Sequence, residues 1–296
     1  MMKKQRKFWR SIAPYGYVMP ISLILLTFVV ASLVISVIFS FMKYNLLLPP
    51  EFLGLENYKR LLTDEKMHLA LGNTLKIMIM VVPLQVVLSV LFATLIAARK
   101  NSLAGKIAKA AIFIPVISSS AVVGTVWKTM LNGRNPVIQG FFSAFGIDTG
   151  MLLGSSTTAI ITVAMIMVWK NFGYYMVLNL ASLTAIPDSY YEAAKVDGGG
   201  VMQRFIHITL PLLKPAIIMD VFLSVVMSLQ SFDLIYTMTG GGPSNSTLTM
   251  VMYAYDQTFQ NGKAGYAMVV SNLLFLIVLS LLMLQKGFMK REASEI

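Results

Sequence analysis

Apolar residues along this chain fall into six long stretches, at about 17–41, 71–98, 107–131, 157–183, 212–236 and 266–285. Each is long enough to cross a hydrocarbon layer of about 30 Å at ~1.5 Å rise per helical residue. A buried soluble core could account for one such run but not for six, so the pattern predicts an all-α membrane protein with six transmembrane helices. Between the runs the pattern changes. In the first connection Leu55, Tyr58, Leu61 and Leu62 recur at helical spacing, which predicts a short amphipathic helix. "NGRNP" at 132–136 reads as a turn leading into a short apolar piece, and "TGGGPSNST" at 239–247 as an external loop. Internal repeats of fixed period are absent from the sequence, so residues 1–296 read as a single membrane domain with no attached soluble domain. Pro83 and Pro115 fall inside the second and third runs. Each removes a backbone donor and tends to kink its helix, which suits either plain helix packing or a gated pathway.

One polar segment stands apart. "YYEAAKVDGGGVMQRFIHITLPLLKP", 190–215, carries charges and three consecutive glycines between two apolar runs. Pro187 ends the fourth run, and Ser189 with Glu192 fits a capping box that starts a helix near Tyr190. Ala193 and Ala194 give that helix a small-residue face. Asp197-Gly198 reads as its stop, since glycine tolerates the left-handed conformation needed there. A second helix is expected from about Val201, with Phe205 and Ile208 forming one apolar ridge, and Pro211 and Pro215 marking the return to the membrane. The segment 188–211 is thus a helix, a glycine turn and a helix, with an apolar ridge that needs cover. A protein groove would cover it, and so would the headgroup layer; only the first accounts for the ordered turn.

Charge then orients the chain. The formal net charge is +11, although only 12% of residues are charged. In a soluble protein this excess would suggest nucleic acid, but here its placement matters more. Lys3, Lys4, Arg6, Lys7 and Arg10 precede the first run; Arg99, Lys100, Lys106 and Lys109 fill the second connection; Lys195, Arg204 and Lys214 lie in the fourth; Lys286, Lys290 and Arg291 follow the last. These outnumber Lys43, Lys59, Arg60, Lys66, Arg134 and Lys263 in the odd connections. The positive-inside rule puts both termini and the glycine-turn segment in the cytoplasm, with the same basic residues suited to lipid headgroups. Nucleic acid is not an expected partner. The basic-then-apolar start resembles a signal peptide, but its apolar run is too long and no small-x-small site follows, so a retained first helix is expected.

The sequence offers little chemistry. Cysteine is absent, which excludes disulfides and thiol nucleophiles. No G-x-x-x-x-G-K-[ST], H-E-x-x-H or G-x-S-x-G pattern occurs. The two histidines, His68 and His207, fall on opposite sides of the expected membrane. The chain is therefore read as non-catalytic, with no metal site and no cofactor of its own. Polar residues inside the spans remain to be explained, because they are costly there and commonly face a cavity or a helix interface. Trp169, Lys170, Asn171, Tyr174, Tyr175 and Asn179 in the fourth run, and Gln230, Ser231 and Asp233 in the fifth, have the rings, amides and carboxylate that bind sugars. The same residue types also form interfacial belts and interhelical hydrogen bonds. Lys170 and Asp233 can equally pair with each other or with a partner subunit. Asp220 falls near the cytoplasmic end of the fifth run, where snorkelling or a loop partner is expected.

The anchors Glu192-Ala193-Ala194, Gly198 and Ile208-x-Leu210-Pro211 together resemble the cytoplasmic loop motif of bacterial ABC importer permeases. "FLGLENYKRLL", "GNTL", "FDLIYTMTGGGPSNSTLTMVMYAYDQTF" and "AGYAMVVSNLLF" extend the likeness to the carbohydrate branch of that family. The chain departs from the pattern at Gly199-Gly200. The resemblance implies a type I importer permease fold in the bacterial cytoplasmic membrane. It implies an ATPase dimer that binds ATP and Mg²⁺ and receives the coupling loop, a second homologous permease, an external solute-binding protein, and a sugar as cargo. Glu192, Ala193, Ala194, Asp197, Gly198, Phe205, Ile208, Leu210 and Pro211 would then touch the ATPase. Three rivals remain at the level of sequence: an ABC permease for another solute such as a glycerol phosphodiester or peptide, an ion-coupled secondary transporter, and a polytopic membrane enzyme.

Overall fold

The structure, a computed structural model, describes residues 15–99, 102–133, 136–146 and 148–292, the last five by backbone alone. The N-terminal basic cluster, Lys100 and Arg134 lie outside the described residues, as do the side chains of Lys290 and Arg291. In chain order the elements are α1 (Tyr15–Ser40), a hairpin of β1 (Met42–Lys43) and β2 (Glu51–Phe52), α2 (Glu56–Thr63), α3 (Glu65–Ala97), α4 (Leu103–Ile117), α5 (Ser120–Met130), α6 (Pro136–Ser143), α7 (Thr149–Gly154), α8 (Ser156–Thr184), α9 (Asp188–Val196), α10 (Val201–Leu229), α11 (Asp233–Met238), α12 (Met250–Phe259) and α13 (Ala264–Glu292). Five of these helices are long and apolar enough to span a membrane, and the α4–α5 pair makes a sixth if counted as one bent span.

Two of the six runs behave differently from the sequence reading. The third is not one helix. α4 ends two residues after Pro115, Ser118 and Ser119 are extended, and α5 leaves at 98°. Pro115 carries no N–H to continue the ladder, and three consecutive serines at 118–120 offer the backbone competing hydrogen bonds. Pro83 by contrast is carried inside α3 without ending it. The fifth run is displaced. Its helix begins at Val201, where the sequence reads a separate short helix, and stops at Leu229. Gln230–Phe232 break the helix, and α11 restarts at Asp233, whose carboxylate suits a helix N-terminus.

The described residues pack as two compact units, one of 15–64 with 254–273 and one of 65–253 with 274–292. In the first unit the end of α1 is held by Asn57, whose amide donates to the carbonyls of Ser40 and Met42 at 2.9 and 3.0 Å. Tyr58 Oη meets Ser40 Oγ at 2.7 Å, so "ENY" latches a helix end. Gly265 passes close against the Met42 carbonyl where any side chain would collide. Tyr266 donates to Asp64 at 2.8 Å beneath the Arg60 guanidinium, and Asn272 bonds Ser36 on α1.

The second unit is a bundle in which α3 packs along α8, α10 crosses both, and α11 lies on α5. Val90, Ala93 and Ile96 of α3 meet Met176, Leu180 and Leu183 of α8 and Leu213 of α10 in its core. Gly173 lets α4 approach α8 closely, since a Cβ there would strike the Ile112 carbonyl. The "GNTL" motif has a specific task. Asn73 donates to the carbonyls of Asn245 and Leu248, and Thr74 Oγ1 accepts from Met250 N–H at 3.0 Å. The glycine-rich stretch is therefore a folded clamp, with Thr239 bonded to Thr247 at 2.7 Å and Thr247, Leu248 and Thr249 buried.

Candidate functional site

Two places carry the candidate residues. The first is the glycine-turn segment. α9 starts at Asp188, one residue before Ser189, so the Ser189–Glu192 capping box does not form; Pro187 occupies the cap position and Asp188 supplies the negative charge of the first turn. The stop falls where expected. Gly198 has φ +80°, and its N–H and that of Gly199 donate to the carbonyls of Lys195 and Ala194 at 3.1 and 2.7 Å. A Cβ on Gly199 would stand 2.7 Å from the Ala194 oxygen, so this turn as built needs glycine there. Gly200 N–H then bonds the Gln203 side chain at 2.8 Å and opens α10.

α10 does not break at Pro211 or Pro215. A π turn at Phe205–Thr209 adjusts the register and carries the helix into the membrane-length run. The second half of the segment is thus the foot of α10 rather than a free helix, and Tyr191 Oη meets Thr209 Oγ1 at 3.1 Å to tie α9 to it. The apolar ridge is accordingly reassigned. Phe205 packs against the bundle core and Ile208 is half-buried, so both face inward. Among the apolar residues facing out are Tyr190, Val196, Val201, Met202 and Ile206, with Val196 88% and Met202 68% exposed. Glu192, Ala193, Asp197, Gly198, Leu210 and Pro211 are exposed beside them, and Ala194 is half-buried. Sequence periodicity missed Val196 and Met202 because the turn between the helices breaks any single phase. Beneath the turn lies a recess of about 590 Å³ lined by Tyr191, Lys195 and Arg204 among others.

The second place is a partly open cavity of about 220 Å³ at the break between α10 and α11, with α3, α5 and α8 also contributing to its lining. Lys170, Asn171, Gln230 and Asp233 line it, and among the described residues no hydrogen bond or ion pair engages their side chains. Lys170 is midway along α8 and only 6% exposed. Gln85 also lines the wall, but both ends of its amide are used, donating to the Met167 carbonyl and accepting from Ser224. The cavity was hard to see in sequence because it depends on the break at 230–232, inside a stretch that reads as continuous helix.

The structure separates the other candidates. Trp169 is partly exposed and packs edge-on to Trp127 with ring centroids 5.5 Å apart, and Tyr174 is exposed next to Tyr175. Tyr175 is buried in the bundle, and Asn179 is fully buried away from the cavity. Asn179 instead serves Asp220, which is not a snorkelling residue. Asp220 has no exposed surface; it accepts from Asn179 Nδ2 at 2.5 Å and from Ser89 Oγ at 3.4 Å, joining α3, α8 and α10 at one point.

Comparison with known proteins adds a family to this geometry. A family profile described as "Binding-protein-dependent transport system inner membrane component" matches residues 70–290. The lactose transport system permease protein LacF of Rhizobium radiobacter is 33% identical over 283 residues, covering 94% of this chain and 92% of that protein. The trehalose/maltose transport system permease protein MalF of Thermococcus litoralis is 30% identical over 286 residues, covering 95% and 96%. Among solved structures, a bacterial ABC transporter involved in importing the acidic polysaccharide alginate superposes with a TM-score of 0.80 at 19% identity over 96% of this chain and 99% of that one, a likeness of fold.

Proposed function

This chain belongs to the family of binding-protein-dependent transport system inner membrane components, and from that premise we propose that it is the membrane-spanning permease subunit of an ATP-driven importer of a sugar or oligosaccharide. The observation that carries the reading is the cavity at the α10–α11 break, where four polar side chains converge with no side-chain partner among the described residues. Lys170 is buried, Asn171 half-buried, and Gln230 and Asp233 open toward the space; a polyhydroxylated solute would supply hydrogen-bond partners to all four. The names of the relatives LacF and MalF support a saccharide as that solute.

Force enters at the other site. An ATPase dimer, holding ATP and Mg²⁺, receives the foot formed by α9, the Gly198 turn and the start of α10. The exposed patch of Tyr190, Val196, Val201, Met202 and Ile206 supports this contact, since apolar residues clustered on an exposed turn favour a groove over water. α10 runs without interruption from that foot to Leu229, and its Met227 and Ser228 line the cavity. A push on the foot is thereby transmitted along one helix to the solute site, switching access from one face to the other. The same element is biased at both ends, which is what coupling requires. A second, homologous permease completes the pathway, and the largely exposed apolar length of α1 supports contact with such a subunit or with lipid. The distribution of basic residues supports cytoplasmic termini and insertion in the bacterial cytoplasmic membrane. An extracytoplasmic solute-binding protein delivers the cargo.

The test is uptake by proteoliposomes holding the co-purified complex and its binding protein, offered labelled saccharides. Uptake is expected only with ATP inside and binding protein outside. Uptake that persists without ATP and collapses with a protonophore would replace this reading with ion-coupled transport.

A further inference from the structure

Lys170 is a cation buried at the middle of a membrane-length helix, and no carboxylate lies within ion-pair distance of it among the described residues. Such a charge is costly in a bilayer and marks a solute pathway, a cavity or an ionic partner. Two counter-charges could answer it: an acidic solute, or a fixed carboxylate across the cavity. The lining contains one. Asp233, from α11, faces the same space of about 220 Å³ as Lys170 from α8, and the remaining lining side chains are uncharged. The two line one space without forming an ion pair, so both charges face whatever fills it.

Resting on the solute pathway proposed above, we propose that Lys170 and Asp233 set the solute class of this cavity: a neutral, hydroxyl-rich saccharide, with acidic saccharides refused. The formal charge of the lining is zero. An anionic solute between the two groups is attracted by one and repelled by the other to a similar degree, so nothing repays the loss of its hydration. A neutral polyol gives up far less hydration than an ion. Its hydroxyls both donate and accept, so they can take hydrogen bonds from the donor-only ammonium and give them to the acceptor-only carboxylate, and both bonds are charge-assisted. Asn171 and Gln230, also unengaged, offer both polarities alongside. The pairing gives Lys170 a specificity role that Gln85, whose amide is spent on the wall, cannot share.

The chain has no cysteine, so a single Ser231→Cys reporter reads the field in the cavity directly. The assay uses the whole complex in nanodiscs, with an anionic sulfonate and a cationic trimethylammonium methanethiosulfonate as probes. In the otherwise wild-type protein the two are expected to react at rates within about threefold of each other. Lys170→Met should favour the cationic probe and Asp233→Asn the anionic one, each by about tenfold or more, the scale of electrostatic focusing in a low-dielectric cleft. The swap Lys170→Asp/Asp233→Lys should restore balance, and it keeps the test decisive if one single variant fails to assemble. Neutral oligosaccharides (maltotriose, lactose and raffinose) should slow labelling in the parent, whereas trigalacturonate should do so only in Asp233→Asn. A strong anionic preference in the parent, or protection of the parent by trigalacturonate, overturns the neutral class and leaves sugar transport standing. Balanced probe rates with protection by no saccharide overturn the sugar reading itself and the solute class with it.

Discussion

Asn179 donates its amide hydrogen to Asp220 across 2.5 Å, with both side chains sealed from solvent and Ser89 closing the group from a third helix. Removing one member of a buried hydrogen-bonded pair leaves the other unsatisfied, at a cost of about 1–3 kcal/mol and more when the survivor is charged. Asn179→Leu and Asp220→Leu should each lower the melting temperature of the purified chain. The double variant should lose less than the sum of the two, because it strands neither partner. Additive losses would mean that the two residues do not support one another.

The Gly198 turn can be probed without disturbing the bundle. Its φ of +80° is accessible to glycine and costs other residues about 1–2 kcal/mol, while proline cannot adopt it. Gly198→Pro and Glu192→Lys are expected to leave membrane insertion intact while abolishing ATP-dependent uptake. Normal uptake by both variants would remove the coupling role from this segment.

The exposed patch gives a sharper version of the same test. Met202→Glu, facing out, should weaken recovery of an ATPase in pull-down, whereas Phe205→Ala, facing the core, should lower thermal stability. If Phe205→Ala instead abolished ATPase recovery with stability unchanged, the assignment of the two faces would be reversed.

Gly173 tests helix approach. A branched side chain there must push the Ile112 carbonyl of α4 away from α8. Gly173→Val should destabilise the chain by about 1–3 kcal/mol, the usual cost of overpacking. A melting temperature equal to that of the wild type would show that α4 can move aside freely.

Asp256, on α12 and outside the membrane-length helices, should give a pH signature. Burial raises its carboxyl above the ordinary range. As pH rises past the ordinary value the unfolded chain ionises first, so the folded chain binds more protons and loses stability until its own raised value is passed. Asp256→Asn should therefore raise the melting temperature at pH 7.5 and do so less at pH 4. A difference that did not depend on pH would show that burial of the charge is not what Asp256 contributes.

Much of the membrane architecture was legible in the chain, because each span must satisfy its own backbone and so declares itself by length and hydropathy alone. The glycine turn was legible too, since a left-handed stop admits few residues other than Gly198. Where Phe205 points was not legible. Its i, i+3 partner Ile208 marks a face but not what covers it, and the π turn at Phe205–Thr209 rotates that face inward. Asp220 and Asn179 look in sequence like a surface acid and a pathway amide, and only the crossing of α3, α8 and α10 makes them one buried pair.

The sequence by itself determined that this chain lies in a membrane, roughly where it crosses, and that a glycine-hinged foot interrupts it. Those properties follow from local hydrophobicity and local backbone sterics. The tertiary structure decided that the third run bends at Ser118–Ser119, that the fifth stops at Leu229, and that Lys170, Asn171, Gln230 and Asp233 share one cavity. These depend on which helices meet, and residues sixty positions apart acquire a common environment only when the helices that carry them pack.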